Sequence, residues 1–405
     1  ILLAIAVGWL IYKKGVDALV PSLVALLLLY FFIWVGTKTP LSFESLGMSS
    51  ANASTTWVVL LFTYSAIASL LPVWFLLQPR DYINSHQLLV GLGLLYAGIF
   101  YVQPLVEAPA VRLAVDHGAP PMIPLLFVTI ACGAISGFHG LVASGTTSKQ
   151  VNHVNDTRFI GYGGMLGEGV LALASMIAAV AGISLVAACT LPSQGQVADL
   201  SWAVYYDSWA HASGNKASAF VLGGGALIQE LGIPAELAKT LMAVLVISFA
   251  ATTLDTATRI QRFVLSELGS AVNIKILTNR YIATAVAVLP ALALTLWNVT
   301  DPSTGAARQA GWMLWPMFGA SNQMLAGLTL MVVTLYFWQL KRPIFPLLIP
   351  MIFVMTATLV SIIINTIDFF ANNWLLFGLN LFLIVLIFWM IYEGVQAVTR
   401  TRVMG

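Results

Sequence analysis

Charged residues are scarce in this sequence: Asp, Glu, Lys and Arg make up 8% of its 405 residues, against about 25% in an ordinary soluble domain. Beside 59% hydrophobic residues and a mean hydropathy of +0.91, that shortage excludes a soluble globular chain and implies an all-α polytopic membrane protein. The net charge is only +2, and no dense Lys/Arg stripe exists, so a nucleic-acid partner is excluded. Two cysteines, Cys132 and Cys189, stand in no CxxC or Cys/His grouping, which leaves neither a disulfide framework nor a metal centre. None of the five histidines sits in HExxH, and Ser136 in GAISG lacks the spacing of a nucleophile elbow, so an intramembrane enzyme has no motif to stand on. No Walker A motif is present, and Gly223–Gly225 opens no phosphate-binding loop, which excludes ATP as the direct energy source and implies no cofactor. A repeated filter, as a channel needs, is missing, as is any soluble segment of domain length that a sensor would use for output. The chain also starts on isoleucine inside the apolar run ILLAIAVGWLIY, with no initiator Met and no signal-peptide n-region. It is therefore expected to be a piece of a longer protein, with helices before residue 1.

What the sequence has is long apolar runs. Eleven approach the ~20 residues that cross a bilayer, near 1–12, 18–36, 57–78, 84–104, 122–143, 160–187, 236–258, 280–297, 311–338, 344–366 and 373–393. Counted across this arrangement, thirteen of the eighteen Lys and Arg residues fall in one set of connections, among them Arg80, Lys149, Arg259, Arg262 and Arg280. The other set holds Lys38, Arg112, Lys216, Lys239 and Arg308. The positive-inside rule turns the richer set toward the cytoplasm. The connection 188–235 is too long for a plain loop. Its second part, FVLGGGALIQELGIP, reads as an interfacial helix or a partial re-entrant one over an outer vestibule.

The stretch MIPLLFVTIACGAISGFHGLVASGTTSKQVNHVNDTR, residues 122–158, begins as a span and then stops behaving like one. Gly133, Ser136, Gly137, His139 and Gly140 interrupt it. Backbone that leaves the helix at membrane depth is tolerated only against protein or a polar cavity, the usual setting of a transport site. The alternative for Gly133 and Gly137 is a GxxxG pair that merely packs helices. His139 weighs toward function, because ionisable groups inside spans are expensive. Ser144, Thr146, Thr147 and Lys149 follow the interruption as candidate gating residues, together with Arg259.

Three further places carry polar groups into spans. Glu168 falls seven residues into a helix starting near Gly161, about 10 Å deep, where a carboxyl group is neutral, paired or in a wet cavity. It is a candidate for a coupling proton, or a structural partner of His139 or a lysine. In TTLDTATRIQR, Thr252, Thr253 and Asp255 offer the oxygen ligands a hard cation prefers. Asp255 and Arg259 are also spaced i,i+4 for a salt bridge, and threonines often bond their own helix backbone. In QAGWMLWPMFGASNQMLAG, Pro316 removes a helix hydrogen bond and Asn322 and Gln323 follow, suited either to face substrate or to join helices.

SGFHGLVASGTTSKQ with IGYGGMLGEG, SFAATTLDTATRIQRFV, WMLWPMFGASNQMLA and LPVWFLLQPRDYINS together resemble the signature stretches of the carbon starvation protein family, in the expected order over most of the chain. The family's amino-terminal part, with its paired histidines and Gly-Pro-rich first core helix, has no counterpart here. The resemblance implies uptake of small peptides, or in some members pyruvate, across a prokaryotic inner membrane when carbon runs short. It also implies a leucine-transporter-like core of inverted repeats, with residues 122–338 as the second repeat and 339–405 as peripheral helices. On that basis the expected protein is a secondary active transporter coupled to H⁺ or Na⁺. The substrate carboxylate would sit near Gly133, Ser136, Gly137, His139, Asn322 and Gln323, and Glu168, Thr252, Thr253 and Asp255 would serve the coupling ion.

Overall fold

A computed structural model describes residues 1–111, 122–191, 194–300 and 307–403. Arg112 and parts of the expected outer connections 105–121 and 298–310 lie outside the described residues. The helices in chain order are α1 (Leu2–Lys14), α2 (Leu19–Lys38), α3 (Ser50–Leu70), α4 (Leu77–Val102), α5 (Phe127–Ala134), α6 (Gly137–Gly145) and α7 (Asp156–Val180). They continue with α8 (Trp202–Tyr205), α9 (Trp209–Gln229), α10 (Ala235–Ala271), α11 (Arg280–Leu296), α12 (Trp315–Gln339), α13 (Phe345–Asn372) and α14 (Trp374–Val403). Two antiparallel hairpins, β1 (Ala188–Leu191) with β2 (Gly195–Ala198) and β3 (Asn298–Thr300) with β4 (Ala307–Gln309), punctuate them.

The chain is a multi-pass helical membrane protein. Among the described residues eight helices are long and apolar enough to cross a bilayer: α2, α3, α4, α7, α10, α12, α13 and α14. Eleven spans are expected from the apolar runs, and each of those runs does contain helix, but three fall short. The first run gives the 13 residues of α1, and 280–297 gives the 17 residues of α11. The run 122–143 divides into α5 and α6, because the bend at Ile135 and Ser136 ends one helix before the other begins. At 37 residues, α10 is about 55 Å long at ~1.5 Å per residue, well beyond a ~30 Å hydrocarbon core.

By internal contacts the chain forms two compact units. The first comprises Ile1–His117 and Asn155–Leu292. Its main core joins Leu92 and Leu95 of α4, Ala174 of α7, Ile228 of α9 and Ala238, Met242 and Leu245 of α10. The centre of this unit is α9, in which every residue from Leu222 to Ile228 is buried. Its three consecutive glycines explain how. A Cβ at Gly223 would strike the Ala178 carbonyl of α7, and one at Gly224 would lie 2.7 Å from Cε of Met242 on α10. The run expected to lie on an interface or re-enter the bilayer is packed by neighbours on three sides, which sets aside the interfacial alternative, and its apolar part, Ser218–Gln229, is shorter than a full span. Beside its N-terminus Asp207 pairs with His211 at 2.8 Å. Burial opposes ionisation of that carboxyl, but hydrogen bonds from His211 and Ser208 outweigh it and hold Asp207 below its ordinary value.

The second unit comprises Gly118–Val154 and Ala293–Gly405. Here α12, α13 and α14 meet through Ala320, Ile362 and Ile387, and the short helices α5 and α6 lie against α12. Phe353, Leu375 and Trp389 point outward, as suits side chains that meet lipid.

Candidate functional site

Among the described residues, each unit carries a polar cluster at one of the motif stretches, where apolar packing would be the rule. In the second unit it lies at the interruption between α5 and α6. A continuous helix would bond the Phe138 N–H to the Ala134 carbonyl and the Ile135 carbonyl to the His139 N–H. The bend separates these groups, and α12 supplies replacements. The Phe138 N–H donates to Oδ1 of Asn322 at 2.8 Å, and Nε2 of Gln323 donates to the Ile135 carbonyl at 3.0 Å. Asn322 Nδ2 also donates to Ser136 Oγ at 3.0 Å. Asn322 and Gln323 are buried, so both side chains join the broken helix to α12.

Close approach makes those bonds reachable. A Cβ at Gly137 would run into the Asn322 carbonyl and Leu325, and one at Gly140 into Thr329. The GxxxG packing alternative thus holds for Gly137 but not for Gly133, which meets nothing within 4 Å, while Gly140, outside that pair, also packs closely. His139 lies exposed on α6. Ser144 donates to the Leu141 carbonyl within the last turn of α6, and Thr146 leads into the short turn Thr147–Lys149.

In the first unit the cluster joins α3, α4 and α10. Asp255 has no exposed surface. It accepts from Tyr64 Oη at 2.8 Å and from Arg80 Nη2 at 3.2 Å, and Arg80 Nη1 makes a second, shorter contact with it. Arg80 Nη1 donates to Tyr64 Oη at 2.7 Å, which closes a ring of three side chains. The far edge of Arg80 meets Asp81 at 2.9 Å. A buried guanidinium shared by two carboxylates and a phenol offsets a desolvation cost that no single exposed partner would. Pro79 sits in the first turn of α4, where its missing N–H is no loss, and delivers Arg80 to this point.

The i,i+4 bridge from Asp255 to Arg259 does not form. Asp255 is taken by Arg80, and Arg259 Nη2 instead donates to the Ala68 and Leu71 carbonyls at 2.7 and 2.8 Å, closing the C-terminus of α3, whose last carbonyls lack helical partners. Thr252 and Thr253 both donate to the Phe249 carbonyl, at 2.8 and 2.9 Å, so their protons are spent on their own helix, and of the nearby threonines only Thr256 reaches Asp255. Glu168 belongs to the same unit as Asp255 but lies exposed as the thirteenth residue of α7, which starts at Asp156 rather than Gly161. Arg259 and the Ser144–Lys149 group belong to different units.

Arg80 and Tyr64 are the site residues that motif reading passed over. Arg80 stood only as a topological charge, although it lies in LPVWFLLQPRDYINS, a stretch that carries the family resemblance; nothing local marks Tyr64.

A family model described as "Carbon starvation protein CstA" matches residues 1–361. A peptide transporter CstA of Helicobacter pylori is 30% identical over 358 residues, covering 79% of this chain and 51% of that protein. A peptide transporter CstA of Bacillus subtilis is 29% identical, with 86% and 60% covered. A pyruvate/proton symporter BtsT of Escherichia coli is 32% identical, with 71% and 47% covered. The chain thus spans about half the length of several curated relatives it matches. No solved structure matches it. With the family model aligned over most of its length and the family's motifs meeting at both polar clusters, the chain belongs to the carbon starvation protein CstA family.

Proposed function

We propose that this chain is part of the transmembrane body of a secondary active transporter that imports small peptides across a prokaryotic inner membrane under carbon starvation, driven by an ion gradient. The observation that carries this reading is the interruption at Ile135 and Ser136, held open by Asn322 and Gln323. Asn322 takes the Phe138 N–H in the first turn of α6, and the positive end of that helix favours a carboxylate, which peptides and pyruvate share. In this reading Gly133, Ser136 and His139 line the carboxylate subsite, Gly137 packs α6 against α12 beside it, and Ser144, Thr146, Thr147 and Lys149 govern access to it. Residues 122–338 form the second inverted repeat of a leucine-transporter-like core, and residues 339–405 lie outside that core.

For the coupling ion, a proton fits the Asp255 cluster better than Na⁺. Both Asp255 oxygens already face Arg80 or Tyr64, so a hard cation would have to displace a guanidinium. A proton on Asp255 would simply release Arg80. A second reading, pyruvate/proton symport, is favoured by the relative that bears that name.

The test is uptake of labelled dipeptide and labelled pyruvate, side by side, into liposomes holding the full-length protein under an imposed pH or Na⁺ gradient. Accumulation of dipeptide driven by the pH gradient is expected, and accumulation of pyruvate alone selects the second reading. If neither substrate accumulates or exchanges, the transporter reading is lost.

A further inference from the structure

The cytoplasmic turn between α10 and α11, on the positive-inside reading, gathers three arginines that form no salt bridge among the described residues. Arg262 lies three residues beyond Arg259 on α10 and is only 8% exposed. Its Nε is sealed from solvent without a hydrogen bond, its guanidinium lies 4.5 Å from the Phe263 ring centre, and no ion pair reaches it among the described residues. Arg259, 4% exposed, spends Nη2 on the α3 carbonyls and leaves its own Nε unpartnered. Arg280, just past the short turn Lys275–Thr278, adds like charge near Arg262 and, among the described residues, donates only to the neighbouring Tyr281 hydroxyl at 2.8 Å. Arg80, with carboxylates on two sides, shows how this fold treats a buried guanidinium when it is compensated.

We propose that Arg262, whose buried guanidinium lacks a counter-charge, binds a phosphate-bearing anion with Arg259 and Arg280 adding positive charge. A buried guanidinium without a counter-charge costs several kcal/mol, and its planar fork matches two oxygens of a phosphate at once. Side chains, not the helix end, would do the holding, since Asn279 Oδ1 already takes the Tyr281 N–H of α11. Free phosphate and the phosphodiester of an anionic lipid both reach a turn at headgroup level. The site uses none of the residues at the α5–α6 bend and stands whether or not the transport reading does.

The experiment is a thermal unfolding titration of the full-length protein in dodecyl maltoside, with inorganic phosphate in one arm and phosphatidylglycerol in the other. A saturable rise in Tm is expected in at least one arm. Phosphatidylglycerol alone identifies a lipid headgroup, and a rise with inorganic phosphate identifies the free anion. Arg262→Gln is expected to weaken the response roughly 10-fold or more, the range of a lost charge-assisted hydrogen bond. Arg280→Gln, on an exposed side chain that folding tolerates, gives the same answer should Arg262→Gln fail to fold. No rise in either arm, or both variants responding as the unmodified protein does, overturns the proposal.

Discussion

Asp255 is the residue on which the first unit's polar chemistry converges. It is completely buried and bonded by Arg80 and Tyr64, so removing either charge strands the other. Asp255→Asn is expected to cost about 3–5 kcal/mol of stability, because Arg80 is left with Asp81 alone. The double change Arg80→Met with Asp255→Leu removes both charges and should recover most of that loss, since an apolar pair in place of a buried ion pair is often neutral or better. Thermal unfolding and uptake measured on the same preparations separate two roles. Recovery of Tm without uptake marks the pair as part of transport; recovery of both marks it as structural.

Among the elements, α9 and α7 use glycine in opposite ways. In α9 glycine admits a neighbour: a methyl group on Gly223 would collide with the Ala178 carbonyl, and α7 would have to move. Gly223→Ala is therefore expected to destabilise the protein by about 1–3 kcal/mol, the usual cost of overpacking. In α7 the glycines at 161, 163, 164, 167 and 169 meet nothing within 4 Å. There Gly167→Ala should raise Tm or leave it unchanged, since alanine favours a helix interior by about 1 kcal/mol over glycine. Equal Tm values for the two variants would show that α9 is not held as tightly as its contacts indicate. The break between α5 and α6 obeys the same logic from the other side, because two amide side chains on α12 take the hydrogen bonds that the helix gives up.

At the scale of the whole molecule, gradient coupling has to be tested in the full-length protein, because the chain spans about half the length of several relatives it matches. Glu168 is the side chain to change. It lies midway along the membrane-spanning helix α7, so Glu168→Gln, which keeps the side chain's size and removes its charge, tests that charge directly. Should Glu168 carry the coupling proton, the variant loses the dependence of uptake on the pH gradient while its Tm stays put. Uptake that still follows the gradient removes Glu168 from the coupling step and leaves Asp255.

The sequence by itself determined the class, the family and the place where a span fails. Scarce charge and long apolar runs require a membrane-spanning helical chain. Gly133, Ser136 and Gly137 lie close enough in sequence to weaken one helix locally, and the bend at Ile135 and Ser136 falls among them. Only the tertiary structure decided who partners whom. Arg259, four residues from Asp255, was the local choice for a bridge, yet Arg80 takes that role from 175 residues away, and Asn322 reaches Phe138 across 184. Helical periodicity reports which residues share a face within one helix. It carries no information about which faces of distant helices meet, and the burial of α9, the closing of α3 by Arg259 and the uncompensated charge on Arg262 all depend on that.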